Sequence, residues 1–95
     1  MLTGKQRAKL RSMANTIQPI FQIGKGGISS ELIAQLDAAL KARELIKITV
    51  LETADMTARE ASDMLIKPLR AEPVQSIGRK LVLYRRNMDE PRIEV

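Results

Sequence analysis

The densest chemistry in the chain is a short run, Gly24-Lys25-Gly26-Gly27, which puts three of the five glycines into four adjacent positions. Glycine loses more backbone freedom on folding than any other residue, so such a cluster needs a physical reason. Two readings are open. The run is a tight turn that needs positive φ, or its backbone must come close to something. Ser29 follows and opens an amphipathic stretch, so the run leads into a helix N-terminus. Free N–H groups and a partial positive charge at such a terminus suit an anion. Lys25 adds a mobile cation at the tip. Other cations are segregated. Residues 1–30 hold Lys5, Arg7, Lys9, Arg11 and Lys25 and no acid, and residues 73–88 hold Arg79, Lys80, Arg85 and Arg86 and no acid. The whole chain carries +5, while its middle and last seven residues are net acidic. A surplus confined to two segments is what a polyanion-binding face looks like if folding unites them. The plainer reading is a solubilising surface.

Catalytic chemistry is poorly represented. With no histidine and no cysteine, the commonest general base and the thiol nucleophile are missing. Disulfides and thiolate metal sites are excluded with them. No acidic pair suggests a metal or glycosidase site, so no enzyme, metal, cofactor or small-molecule substrate is expected. A dinucleotide fingerprint would need glycine where Ser29 stands, and Glu52 is only a loose candidate for its acidic partner. The lysine-bearing phosphate loop of nucleotidases is absent. What remains is a G-x-x-G, which clamps the nucleic-acid backbone in one RNA-binding module. Stacking on bases has little to work with, because Phe21 and Tyr84 are the only aromatics. Phe21 shares a face with Ile23 and reads as core. Tyr84 shares a face with Val82 and reads as core or platform. No stretch approaches the ~20 apolar residues of a membrane span, and no apolar run follows the charged N-terminus. These features lead us to expect a cytoplasmic protein without membrane contact.

The elements that must position these groups follow from periodicity. Thr3 caps a helix running to about Thr16, with Leu10, Met13, Ala14 and Ile17 as its apolar stripe. Lys5 and Lys9 flank the stripe on one side, Arg7 and Arg11 on the other. "IFQI" predicts a short strand. Ser29 caps a second helix whose core face is Leu32, Ile33, Leu36, Ala39 and Leu40, with Asp37 and Lys41 as an exposed i,i+4 pair. "LIKITVL" alternates, with Ile46, Ile48 and Val50 facing one way and Lys47 and Thr49 the other. A third helix starts near Asp55 or Thr57, and Pro68 should kink or stop it. "VQSI" and "LVLYR" form a hairpin around Gly78 and Arg79. The order is α-β-α-β-α-β-β, an α/β (α+β two-layer) domain on a four-stranded mixed sheet. Its first three strands are expected to be parallel neighbours and its fourth antiparallel. One sheet face is expected to be covered by helices and the other only partly. A single domain over residues 1–88 and a frayed tail over 89–95 complete the reading.

A basic first helix, "PIFQIGKGGIS", "ELIKITV" and "VQSIGRKLVLYRR" together resemble the CRM domain, the RNA-binding module of chloroplast RNA splicing and ribosome maturation. In particular the chain resembles its single-domain bacterial form, the YhbY family, over about residues 3–86. The resemblance implies a fold like the C-terminal domain of translation initiation factor three. It also implies RNA binding through the first helix and the G-x-x-G loop, on precursors of the large ribosomal subunit. Carried onto this chain, the loop role falls on Gly24, Lys25, Gly26 and Gly27, and the helix role on Lys5, Arg7, Lys9 and Arg11. The rival expectation is a protein-interaction module that docks an acidic ribosomal protein or a second copy.

Overall fold

The computed structural model describes residues 2–95. Its elements are α1 (Gly4–Ala14), β1 (Phe21–Ile23), α2 (Ser30–Arg43), β2 (Leu45–Val50), a 3-10 turn (Glu52–Ala54), α3 (Ala58–Leu69), β3 (Glu72–Ile77) and β4 (Lys80–Tyr84). Each α-helix begins where a hydroxyl can satisfy orphan amides. Thr3 and Gln6 close a capping box on α1, Thr57 and Glu60 close another on α3, and Ser29 accepts from Leu32 N–H on α2. α1 stops two residues earlier than its periodicity suggests. The amides of Asn15, Thr16 and Ile17 turn to carbonyls three residues back, which tightens the last turn. Pro68 lies inside the last turn of α3, and the chain leaves the helix at Arg70 in the left-handed region.

The sheet runs β1-β2-β4-β3, with β1 parallel to β2 and β4 antiparallel to both of its neighbours. The first three strands therefore share a direction and β4 opposes them, as expected. They are not all neighbours, because β4 lies between β2 and β3. Burial explains the insertion. Leu81, Val82, Leu83 and Tyr84 are all buried, so β4 needs cover on both faces and a partner on both edges. β3 carries Pro73, a bulge between Pro73 and Gln75, and the exposed Ser76 and Ile77, which suit an edge. A two-residue turn with Gly78 at φ 60 joins the two strands.

Each face has its own core. α2 and α3 cover the first, where Leu36, Leu40, Leu65 and Leu69 pack on Ile23, Ile46, Ile48, Val50, Leu81 and Leu83. α1 lies across part of the second, where Leu10 and Ala14 pack on Leu45, Val74, Val82 and Tyr84. Tyr84 is thus core rather than platform, only 4% exposed, and its hydroxyl has no hydrogen-bond partner among the described residues. Burial, and then the Glu44 carboxylate, push that hydroxyl's pKa up.

The last residues form no regular element but do not hang free. The Glu44 carboxylate accepts from the amides of Asn87, Arg92 and Ile93 at 2.7, 2.5 and 2.7 Å. Ile93 packs against the α1-side core. Fraying was expected from proline and polarity. A buried carboxylate far off in sequence supplies the anchor instead.

Candidate nucleic-acid interface

β1 and β2 run in parallel and in register from Phe21↔Ile48 to Ile23↔Val50, so the glycine run leaves the sheet beside the end of β2. The N–H of Val50 donates to the carbonyl of Arg79 at 2.7 Å, which brings the β3–β4 turn to the same end. Adjacent strands are ~4.8 Å apart, so the loop after β1 and the start of β4 are separated by about 10 Å. Folding thus unites Lys25 with Arg79 and Lys80 at one end of the sheet, although more than fifty residues separate them in sequence.

The loop itself is a turn, closed by Gly27 N–H donating to the Gly24 carbonyl at 2.9 Å. Gly27 takes φ +68, so the turn favours glycine there. Gly24 and Gly26 are not in the left-handed region. A Cβ on Gly24 would make ordinary contact with Leu51 and Thr53, and one on Gly26 would meet nothing within 4 Å. The turn therefore explains one glycine of the three. Gly26 leaves bare, open backbone next to Lys25, just ahead of the capped N-terminus of α2.

The other predicted cations divide by place. On α1, Arg7 donates through Nε to the Pro73 carbonyl at 3.2 Å, which holds it against the β3 edge. Lys9 donates to the Glu94 carbonyl of the tail. Lys5 and Arg11 are exposed, with no side-chain partner among the described residues. α1 points its C-terminal end toward the turn, since Asn15 borders the same cleft as Gly78 to Lys80. Arg11 stands one helical turn from Asn15 on the same side, so it is nearest the loop end, and Lys5 is farthest. Arg79 reaches Glu52 at 3.8 Å, with both side chains largely exposed, a tether worth little in water.

Arg85 and Arg86 are not part of this grouping. They follow β4 at the opposite end of the sheet. The Arg85 guanidinium donates to Asp37 Oδ1 at 2.7 Å and to the carbonyls of Asp37 and Leu69, both at 2.9 Å. Asp37 is thereby paired across the fold with Arg85 rather than along its helix with Lys41. Arg86 is exposed near Glu44, whose carboxyl it helps to hold down. The charge surplus in the sequence counted all four cations of residues 73–88 together, but β4 is long enough to carry two of them to the far end.

One cation absent from that count joins the group. Lys47 lies in the mixed-charge middle of the chain, yet it pairs with Val82 across β2 and β4, on the sheet face that also carries Lys80. Alternation in "LIKITVL" already put Lys47 on the wetter face. Only the strand order placed it beside Lys80. Among the described residues no acidic cluster could hold a metal ion, and no helix is long and apolar enough to cross a membrane.

The chain is similar throughout to known proteins. It is 44% identical over 95 residues to the Bacillus subtilis protein named "Probable RNA-binding protein YqeI", covering 100% of this chain and 99% of that one. It is 32% identical over 84 residues to a Haemophilus influenzae protein named "RNA-binding protein", covering 88% of this chain and 85% of that one. The solution structure of hypothetical protein SAV1595 from Staphylococcus aureus superposes with a TM-score of 0.80 at 44% identity, covering 100% of this chain and 99% of that one. That match agrees with the three helices and four-stranded mixed sheet described above. A family model, the CRS1 / YhbY (CRM) domain, matches residues 2–85. That span runs from the first helix through the glycine loop to the last strand, and the chain belongs to the CRS1/YhbY (CRM) domain family.

Proposed function

We propose that this protein binds RNA without catalysing a reaction on it, and that its target is ribosomal RNA in a precursor of the large ribosomal subunit, whose assembly it assists in the cytoplasm. The observation that carries the contact is Gly26, a glycine that the turn does not need, set between Lys25 and Gly27 in open space. Bare backbone there lets a phosphate approach the loop amides, with Lys25, Arg79 and Lys80 supplying charge around it. Arg11 and the other α1 cations extend the positive surface along the helix. Relatives named as RNA-binding proteins support the partner, and the family resemblance supports the ribosomal target.

The test is a salt titration of binding to single-stranded RNA. Contact with about five phosphates gives a log–log slope near −3.5, and a slope shallower than about −1 contradicts a phosphate-driven contact. Lys25→Glu should weaken binding by about tenfold, or ~1.4 kcal/mol, with little change in melting temperature. In cell extract the protein should co-sediment with large-subunit precursors and lose that association on nuclease treatment. A nuclease-resistant association would identify a protein partner instead.

A further inference from the structure

α1 covers only part of its sheet face. Leu45, Val82 and Tyr84 lie beneath it, while the half toward the glycine loop stays open. There the strands, the turn and the end of α1 enclose a cleft of about 330 Å³. That is at the small end of ligand-sized clefts. Its walls are unusual in three respects. Lys47, Arg79 and Lys80 line it and no acidic residue does. Asn15 and Gln75 bring two side-chain amides to opposite sides, one from the end of α1 and one from β3. Ile77, 66% exposed, supplies an apolar surface between them. The side chains of Asn15, Lys47, Gln75 and Lys80 make no hydrogen bond or ion pair among the described residues. A half-buried lysine with no carboxylate beside it is a charge left for an anion to neutralise.

These properties match one occupant. A nucleotide has an anionic phosphate, an apolar base face and a base edge that pairs with amides. We infer that this cleft receives one unpaired nucleotide of the RNA, and that base preference is set here rather than at the glycine loop. Lys47 and Lys80 take its phosphate, the base lies on Ile77, and the amides of Asn15 and Gln75 bond to its edge. Phosphate contacts position a strand without reading it, whereas edge contacts discriminate. The division assigns affinity to the loop and preference to the cleft. The inference rests on the proposed RNA-binding function and adds to it a place where the base is read.

Binding of fluorescent eight-nucleotide homopolymers of A, C, G and U to the full chain tests this. The wild type should prefer one base over the weakest by at least about fivefold. The double variant Asn15→Ala/Gln75→Ala should erase that preference while keeping the salt slope. Lys47→Gln should weaken all four homopolymers alike and reduce the slope by about 0.7. Gln75→Glu, nearly isosteric, should weaken all four and guards against a trivial loss of packing, with melting curves recorded for every variant. If the wild type shows no preference, or the double variant retains it, the inference is overturned. An unchanged slope in Lys47→Gln overturns it too. If those variants bind normally while Lys25→Glu does not, the cleft falls and the proposed function stands. If the wild type binds no homopolymer, both fall.

Discussion

The two ends of the sheet use polar groups in opposite ways. At one end lie the glycine loop and the Gly78–Arg79 turn, where Lys25 and Lys80 make no side-chain bond among the described residues and Arg79 makes only a long, exposed one. At the other end Glu44 is fully buried at φ 65, and every bonding group it has is occupied. Its N–H donates to Leu40, its carbonyl accepts from Arg85, and its carboxylate collects three amides of the tail. Arg85 is similarly occupied by Asp37 and Leu69. A buried charge persists only when fully satisfied, whereas an exposed cation with no partner is available to one. Equal charges in the sequence thus serve the fold at one end and remain free at the other.

Glu44→Ala should break this contrast most severely. Removing a buried carboxylate that accepts three amides should cost roughly 2–3 kcal/mol, read as a lower denaturation midpoint and faster amide exchange over residues 87–93. RNA affinity should be unchanged where the variant is folded. Acid should reproduce part of this loss. Burial alone would raise the Glu44 carboxyl, but its bonds from Asn87, Arg92 and Ile93, with Arg86 nearby, hold it below its ordinary value of 4.5. A lowered folded pKa means that the stabilisation is complete above the unfolded carboxyl pKa and is lost as pH falls through the folded one. Melting temperature should therefore drop on acidification below about pH 4.5. Glu44→Gln should flatten the curve only in part, because the Thr57 amide and hydroxyl also lower the Glu60 carboxyl.

Arg85→Ala should cost about 1–2 kcal/mol of stability through the lost charged bond to Asp37 and the two carbonyls left behind. RNA affinity should stay within twofold. A larger binding loss would return Arg85 to the interface and blur the division between the two ends. At the loop end, Gly27→Ala should cost about 1 kcal/mol, because alanine resists φ +68. Gly26→Ala should leave stability nearly unchanged or slightly higher, yet weaken RNA binding measurably. If Gly26→Ala binds RNA as well as the wild type, the loop is a turn and nothing more.

Much of this was legible in the residues. Thr3 and Ser29 mark two helix starts, and Thr57 is one of two candidates for the third, because a cap acts over three residues. "LIKITVL" assigns Lys47 and Thr49 to a wetter face, because a strand alternates whatever lies beside it. Asp37 shows the limit. Its spacing to Lys41 suggests a local pair, but Arg85, 48 residues away, offers a planar fork and a better-shielded site. Nor does anything near Glu44 announce a buried carboxylate, since its three carboxylate partners lie more than forty residues downstream.

By itself the sequence determined the helices, the strands, their faces and the glycine run before α2, because caps, periodicity and turn chemistry act between near neighbours. Tertiary structure alone decided that β4 lies between β2 and β3, and that α1 crosses the opposite face from α2 and α3. It alone sent Arg79 and Lys80 to the loop end and Arg85 and Arg86 away from it. Strand order minimises the exposed apolar surface of the whole chain at once, and β4, apolar on both faces, gained most from the centre.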